Sequence, residues 1–252
     1  MSNIKDRWEY FGENDPYFAV VSLDKNRKDN LTEATKSEFF LSGSEHVSMI
    51  WKTIEQHFVA DFKPKRSFDF GCGVGRIVIP LALKSKRVTG VDISENMLFE
   101  AKRNCVLHDI ENADFLQVDE YLYSDDLEYD FIHSLVVFQH MNPKLGMKVL
   151  RKMLNSLENG GIGALHFTYA DTTSVPRKLL FKMYREFPVL YRIRLMLARR
   201  PREPLIPMYI YDLNAILLEL QVNECHHCIV RFSQHGLHGV LFIFQKSEIR
   251  SI

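Results

Sequence analysis

The run Asp69-Phe70-Gly71-Cys72-Gly73-Val74-Gly75 sets an acid ahead of three alternating glycines, a pattern that lets bare backbone approach a nucleotide-like ligand. About 20 residues later comes Asp92, where doubly wound folds set an acid against ribose hydroxyls. A carboxylate accepts both hydroxyl protons, although the same acid can instead cap the helix that follows, for which Ser94 is a plausible cap. His140 is the best general-base candidate on chemical grounds, because a neutral imidazole titrates near working pH; a pocket or packing role is the alternative. His166, Tyr169 and Asp171 can line an acceptor site, and Tyr209 and Tyr211 can close over it. His235 and His238 are expected to be solvated. Arg76 either reaches a cofactor carboxylate or is a surface charge at a helix start.

These residues need a sheet to bring them to one edge. Phe68 and Phe70 suit a strand that enters the glycine turn, and Ile77 to Leu83 is apolar enough for a helix packed on a sheet. Further strands are expected at 87–91, 113–118, 129–136 and 162–167, with a helix from Leu145 to Leu157 stopped at Asn159-Gly160-Gly161. Two late strands, 228–232 and 239–244, flank a turn region that holds Gly236, with no helix between them, which predicts an antiparallel hairpin. Ahead of the sheet, Val47, Met49, Ile50, Ile54 and Phe58 form a helical stripe. The aromatic cluster Trp8, Tyr10, Phe11, Tyr17 and Phe18 is broken by Gly12, Asp15 and Pro16, so an irregular segment is expected there. It either folds over the ligand loop or simply packs.

The glycine spacing separates the possible ligands. A dinucleotide fingerprint needs glycine at 76, where Arg stands, and a P-loop needs a Gly-Lys-Ser/Thr ending, whereas no lysine follows until Lys84. The acid and the G-x-G-x-G turn resemble the first motif of class I S-adenosylmethionine-dependent methyltransferases of small-molecule type. That resemblance covers about residues 65–246 apart from 171–212. It implies a Rossmann-like, doubly wound α/β fold with a seven-stranded sheet whose last strand is antiparallel, and a helical cap inserted after strand five. It also implies S-adenosylmethionine contacts at Asp69, Gly71, Gly73, Gly75, Asp92, Ile93, Asp119, Ser134 and Leu135. Asp119 would meet the adenine amine, with Glu120 as a substitute, and Ser134 and Leu135 would face the methionine part. The organisation expected is a helical region at 1–60 packed on a methyltransferase domain at 61–252, with the cap at about 171–212.

Composition is that of an ordinary globular chain, 46% hydrophobic and 25% charged, with 32 basic residues balancing 32 acids. Such neutrality argues against nucleic acid as an obligatory partner; the resemblance implies a small-molecule acceptor, and the apolar and arginine-rich cap suggests a hydrophobic or acidic one. No signal-peptide core and no run of about 18 apolar residues is present, so a cytoplasmic chain is expected. Methyl transfer from a sulfonium requires no metal. Cys225-His226-His227-Cys228 has a metal-like spacing but reads as a strand, on which the two thiols would diverge. From Arg177 to Arg202 there are nine basic residues against the single acid Glu186. That stretch can form a cap over an acidic acceptor, a solvated face, or a peripheral contact with an anionic membrane. Two other functions remain open: a non-catalytic nucleotide-binding interaction module, and a nicotinamide-dependent oxidoreductase.

Overall fold

Apolar strands that alternate with helical segments build one sheet. The computed structural model describes residues 4–124, 127–198, 200, 202–234 and 237–248. The strands are β1 (Arg66–Phe70), β2 (Arg87–Asp92), β3 (Ala113–Gln117), β4 (Tyr129–Ser134), β5 (Leu157–Ala170), β6 (His227–Gln234) and β7 (His238–Gln245). Their order is β3-β2-β1-β4-β5-β7-β6. The first five are parallel, and β7 runs antiparallel to both β5 and β6. This is the expected doubly wound seven-stranded sheet with its antiparallel close. Gly236 and His235 lie outside the described residues.

The helices are α1 (Ile4–Asn14), α2 (Pro16–Val20), α3 (Glu33–His57), α4 (Val78–Ala82), α5 (Glu95–Leu107), α6 (Val118–Tyr123), α7 (Pro143–Asn155), α8 (Val175–Glu186), α9 (Pro188–Leu197) and α10 (Leu213–Val222). Strand alternation decides what each face of β1 meets. Phe68 and Phe70 join Tyr121, Tyr129, Phe138 and the α7 residues Val149, Leu150 and Met153 in one core cluster. Val47, Ile50 and Ile54 of α3 belong to the cluster on the other side. Because the strand order reverses between β1 and β4, a crevice opens at their carboxyl ends, where ligands bind in sheets of this kind.

Three local expectations are corrected. The aromatic segment is helical: Asp15 and Pro16 separate α1 from α2 instead of abolishing both. The core residues Phe11 and Tyr17 bury against the body, and tertiary packing of this kind holds short helices that would fray alone. Helix α7 stops at Asn155, and β5 begins at Leu157, paired with Tyr129; Gly160, at φ 79°, is taken up inside the long strand. Finally, β3 ends at Gln117, so Asp119 lies in the first turn of α6, whose start is closed by Glu120 accepting from the Gln117 amide at 2.9 Å.

Candidate functional site

The glycine turn brings bare backbone to the carboxyl end of β1, with Gly71 half-buried and Gly73 and Gly75 buried. Gly71, Gly73 and Gly75 have φ values of 75°, 52° and 86°, the left-handed region that side chains disfavour. Gly71 and Cys72 donate to the Val91 carbonyl at 2.7 and 3.0 Å, tying the turn to the end of β2. From α5, the Asn104 amide donates to the Val74 carbonyl at 3.0 Å. A side chain at Gly71 would collide with Val137, which the chain delivers there through Val136 in a left-handed conformation (φ 62°). A β-branched residue in that region is strained, and such strain concentrates at functional loops.

Asp92 closes one side of the cradle. Its carboxylate accepts from Gly73 N at 2.9 Å and from Ser94 N at 3.0 Å, so the acid braces the turn and the start of α5 together. Ser94 is the cap of α5, with its oxygen accepting from Met97 N at 3.2 Å. Burial pushes the Asp92 pKa up to about 6; the N–H groups of Ser94, Gly73 and Ile93 hold it down in part, and the charge of Asp69 adds to the rise.

The sign of that shift gives a prediction. A buried carboxyl with a raised pKa contributes stability below about pH 4 that is lost as pH rises through about 6, at a cost on the order of 3 kcal/mol when ionised. Ligand binding that needs the ionised acceptor then weakens in the opposite sense. Affinity for S-adenosylmethionine is expected to fall about tenfold from pH 7 to pH 5. Titration calorimetry at both pH values measures it; equal affinities would remove Asp92 from the contact.

Beneath the turn lies a feature that the sequence reading missed. Asp69, buried in β1, accepts from His133 Nδ1 of β4 at 2.7 Å, and His133 Nε2 lies 3.0 Å from His46 Nε2 of α3. With His133 neutral, its Nδ1–H donates to the carboxylate and its Nε2 accepts from His46 Nε2–H. Asp69 Oδ2 is buried with no hydrogen-bond partner among the described residues. An unsatisfied acceptor at the foot of a glycine cradle suits a donor group on a ligand. The signal was present in the sequence as polar Asp69 and His133 inside the apolar runs FDF and FIHS.

The amino-terminal helices cross above this crevice. Glu9 of α1 accepts from Ser94 Oγ (2.9 Å), Glu95 N (2.6 Å) and Asn96 N (3.2 Å), so it seats α1 on the positive end of α5. Trp8 stacks edge-on against His140, with ring centroids 5.2 Å apart. Arg7 donates to the Leu205 carbonyl at 2.5 Å, and a side chain at Gly73 would strike Val20 Cγ2, 2.6 Å away. The 203–211 segment completes the roof: Tyr209 N donates to the Gln139 carbonyl (2.7 Å), Thr168 Oγ1 to the Tyr209 carbonyl (2.8 Å) and Tyr211 Oη to the Met141 carbonyl (3.0 Å).

The other expected residues fall as follows. Ser134, buried at the end of β4, donates to the Phe70 carbonyl at 3.0 Å, and Leu135 is half-buried beside it. Asp119 is exposed at the same sheet edge, and Ile93 is half-buried after Asp92. His140 sits under the roof with Nδ1 3.2 Å from the Pro207 carbonyl and Nε2 3.1 Å from Gln139 Nε2. Burial lowers its pKa to about 4 despite the Pro207 carbonyl, so the ring is neutral near pH 7. His166 pairs through Nε2 with Ser233 Oγ at 2.7 Å. Arg76 is no surface charge: it lies under α3, 3.3 Å from Ser42 Oγ, and burial lowers its pKa. Cys225 is buried before β6 and Cys228 is half-buried on it. Among the described residues, no group of three His, Cys, Asp or Glu side chains is placed to hold a metal ion.

A glycine turn at the switch point of this sheet, with an acid at the end of β2, is the arrangement that the fold of class I S-adenosylmethionine-dependent methyltransferases shares. Residues 68–161 match the family model described as a methyltransferase domain, a stretch running from β1 into β5. An uncharacterised RNA methyltransferase of Caldanaerobacter subterraneus is 36% identical over 81 residues, 32% of this chain and 18% of the relative. A release factor glutamine methyltransferase of Fusobacterium nucleatum is 42% identical over 69 residues, 26% of this chain and 20% of the relative. The chain thus spans about a fifth of the length of these curated relatives. Among solved structures, magnesium protoporphyrin IX methyltransferase from Synechocystis with bound S-adenosylhomocysteine has a similar fold, with TM-score 0.63 and 19% identity, and 97% of this chain and 98% of that one are covered. N-methyltransferase NodS from Bradyrhizobium japonicum superposes with TM-score 0.58 and 13% identity, over 98% of this chain and all of that one.

Proposed function

We propose that the protein transfers the methyl group of S-adenosylmethionine to a small-molecule acceptor. The observation that carries the acceptor reading is the roof. Helix α1 lies between the start of α5 and His140, which it meets through the adjacent residues Glu9 and Trp8, and 203–211 continues over the ends of β4 and β5, so the crevice is covered from two sides. A covered site suits a compact acceptor better than a polymer. The RNA methyltransferase relatives align with about a third of this chain and about a fifth of their own length.

When bound, S-adenosylmethionine supplies an electrophilic methyl group on a sulfonium. The chain's residues fit it through bare backbone at Gly71, Gly73 and Gly75, ribose acceptors at Asp92 beside Ile93, and the unsatisfied Asp69 Oδ2 for the amino group. Asp119 is assigned to the adenine amine, and Ser134 and Leu135 to the methionine end. The covered crevice excludes water and aligns donor with acceptor, which is the main work of this reaction.

His140 is assigned as the base, at Nε2, which would exchange the Gln139 amide N–H for the acceptor's proton, its Nδ1–H being committed to the Pro207 carbonyl. His140→Gln is expected to lower kcat about 100-fold with cofactor affinity unchanged. Lost cofactor affinity with kcat retained would make the ring a packing residue only. The function itself is tested by incubating the protein and methyl-labelled S-adenosylmethionine with a cell extract separated into low-mass and RNA fractions. Label is expected in the low-mass fraction. Label confined to RNA would overturn the acceptor reading, and no label in any fraction would favour the interaction module.

A further inference from the structure

None of the site residues named above lies on α8 or α9, the two helices of the cap. Its two helices meet at Phe187-Pro188, where proline starts the second one. Helix α8 buries no residue, and α9 buries only Leu195. Between them runs an open groove of about 600 Å³, lined by Leu180, Met183, Tyr184, Leu190, Ile193 and Leu197 among others. Apolar side chains continue outside it: Phe187 is 58% exposed, Val189 64% and Met196 69%. Isolated exposed apolar residues need no explanation, but a contiguous set on two adjoining helices marks a contact surface.

Charge identifies what that surface meets. The basic residues Arg177, Lys178, Lys182, Arg185, Arg192 and Arg194 of these helices are all exposed. Only Lys178, with Asp171, and Lys182, with Glu186, have an acid in pairing range among the described contacts. Helical spacing sets Arg177, Lys178, Lys182 and Arg185 along one side of α8, and Leu179, Leu180, Met183 and Phe187 along the other. A polymer of nucleotides would favour aromatic platforms between the charges, whereas most of the apolar side chains here are aliphatic. Aliphatic side chains flanked by lysine and arginine are the composition of helices that lie in a lipid interface. We infer that the α8–α9 cap docks the protein on an anionic lipid bilayer, with the basic side chains at the headgroups and the apolar ones at the acyl boundary. None of the residues that line the groove is among those placed at the crevice, and the docking does not depend on which acceptor is methylated.

The test is co-sedimentation of the full chain with vesicles of phosphatidylcholine alone or mixed with phosphatidylglycerol. Binding is expected only to the mixed vesicles and is expected to weaken as salt is raised. Each basic residue near such a surface strengthens binding roughly fivefold, so Arg185→Glu with Arg192→Glu is expected to reduce it by more than about 25-fold. Leu190→Ser with Leu197→Ser is expected to reduce it as well, and both variants are expected to bind S-adenosylmethionine as the parent does. Absence of binding to mixed vesicles, equal binding to phosphatidylcholine, or full binding by either double variant would each overturn the inference. So would a dimer seen by light scattering that Leu190→Ser with Leu197→Ser dissolves, which would make a second copy the occupant. Retention of labelled RNA by the cap without retention of vesicles would likewise overturn it.

Discussion

Asp92→Ala is expected to weaken S-adenosylmethionine binding by about 100-fold or more while leaving the fold intact. In the proposed complex the carboxylate accepts two ribose hydroxyls, and hydrogen bonds to a charged group contribute about 1.5–3 kcal/mol each. Their joint loss is therefore about 3–6 kcal/mol, and 1.4 kcal/mol is a factor of ten. The fold survives because two effects of the substitution oppose each other. Alanine strips the acceptor from Gly73 N and Ser94 N, at about 1–3 kcal/mol for each buried donor. It also removes a buried charge whose pKa stands at about 6, which relieves roughly 3 kcal/mol. Calorimetric titration measures the affinity, and a thermal melt of the free protein measures the balance. Unchanged affinity would show that Asp92 is only the brace between the turn and α5.

Gly71→Ala is expected to act in the reverse order, on the fold first. Its φ of 75° costs an alanine about 1–2 kcal/mol, and the added Cβ overlaps both γ-methyl groups of Val137. Val137 has little room to retreat, since Val136 before it is already in a left-handed conformation and Phe138 after it is fully buried. Overpacking of this kind costs about 1–3 kcal/mol more. The sum, about 2–5 kcal/mol, corresponds to a fall in Tm of roughly 5–15 °C for a chain of this size. Gly73→Ala makes the comparison, because its Cβ meets the Val20 side chain of the roof and no core residue. A Gly71→Ala protein that melts with the parent would mean that the turn relaxes freely and is no rigid cradle.

The parts of the fold that were legible in the sequence are those whose signals are local. All seven strands announced themselves as short apolar runs, and the late pair without a helix between them gave the antiparallel close. The glycine turn was legible because left-handed backbone needs glycine at fixed spacing. The roof was not, since Glu9 becomes the cap of α5 only through a contact 86 residues apart in the chain. Gly12 and Pro16 read as breakers, yet Gly12 is needed for close approach to Ser94, whose Oγ lies 2.7 Å from where a Cβ would stand. His133 was visible as a polar residue in a buried strand. Its partner was not, because that depends on the β1–β4 register that aligns Asp69 with His133. His46 required knowing which face of α3 meets the sheet.

The central claim is that the cradle from Asp69 to Gly75, with Asp92, holds S-adenosylmethionine. Calorimetric titration of the full chain with S-adenosylmethionine, its demethylated product and both nicotinamide redox forms tests it most directly. Saturable binding of the first two, weakened by Asp92→Ala, with no binding of the nicotinamides, is the result predicted here. Tight nicotinamide binding without binding of S-adenosylmethionine would contradict it.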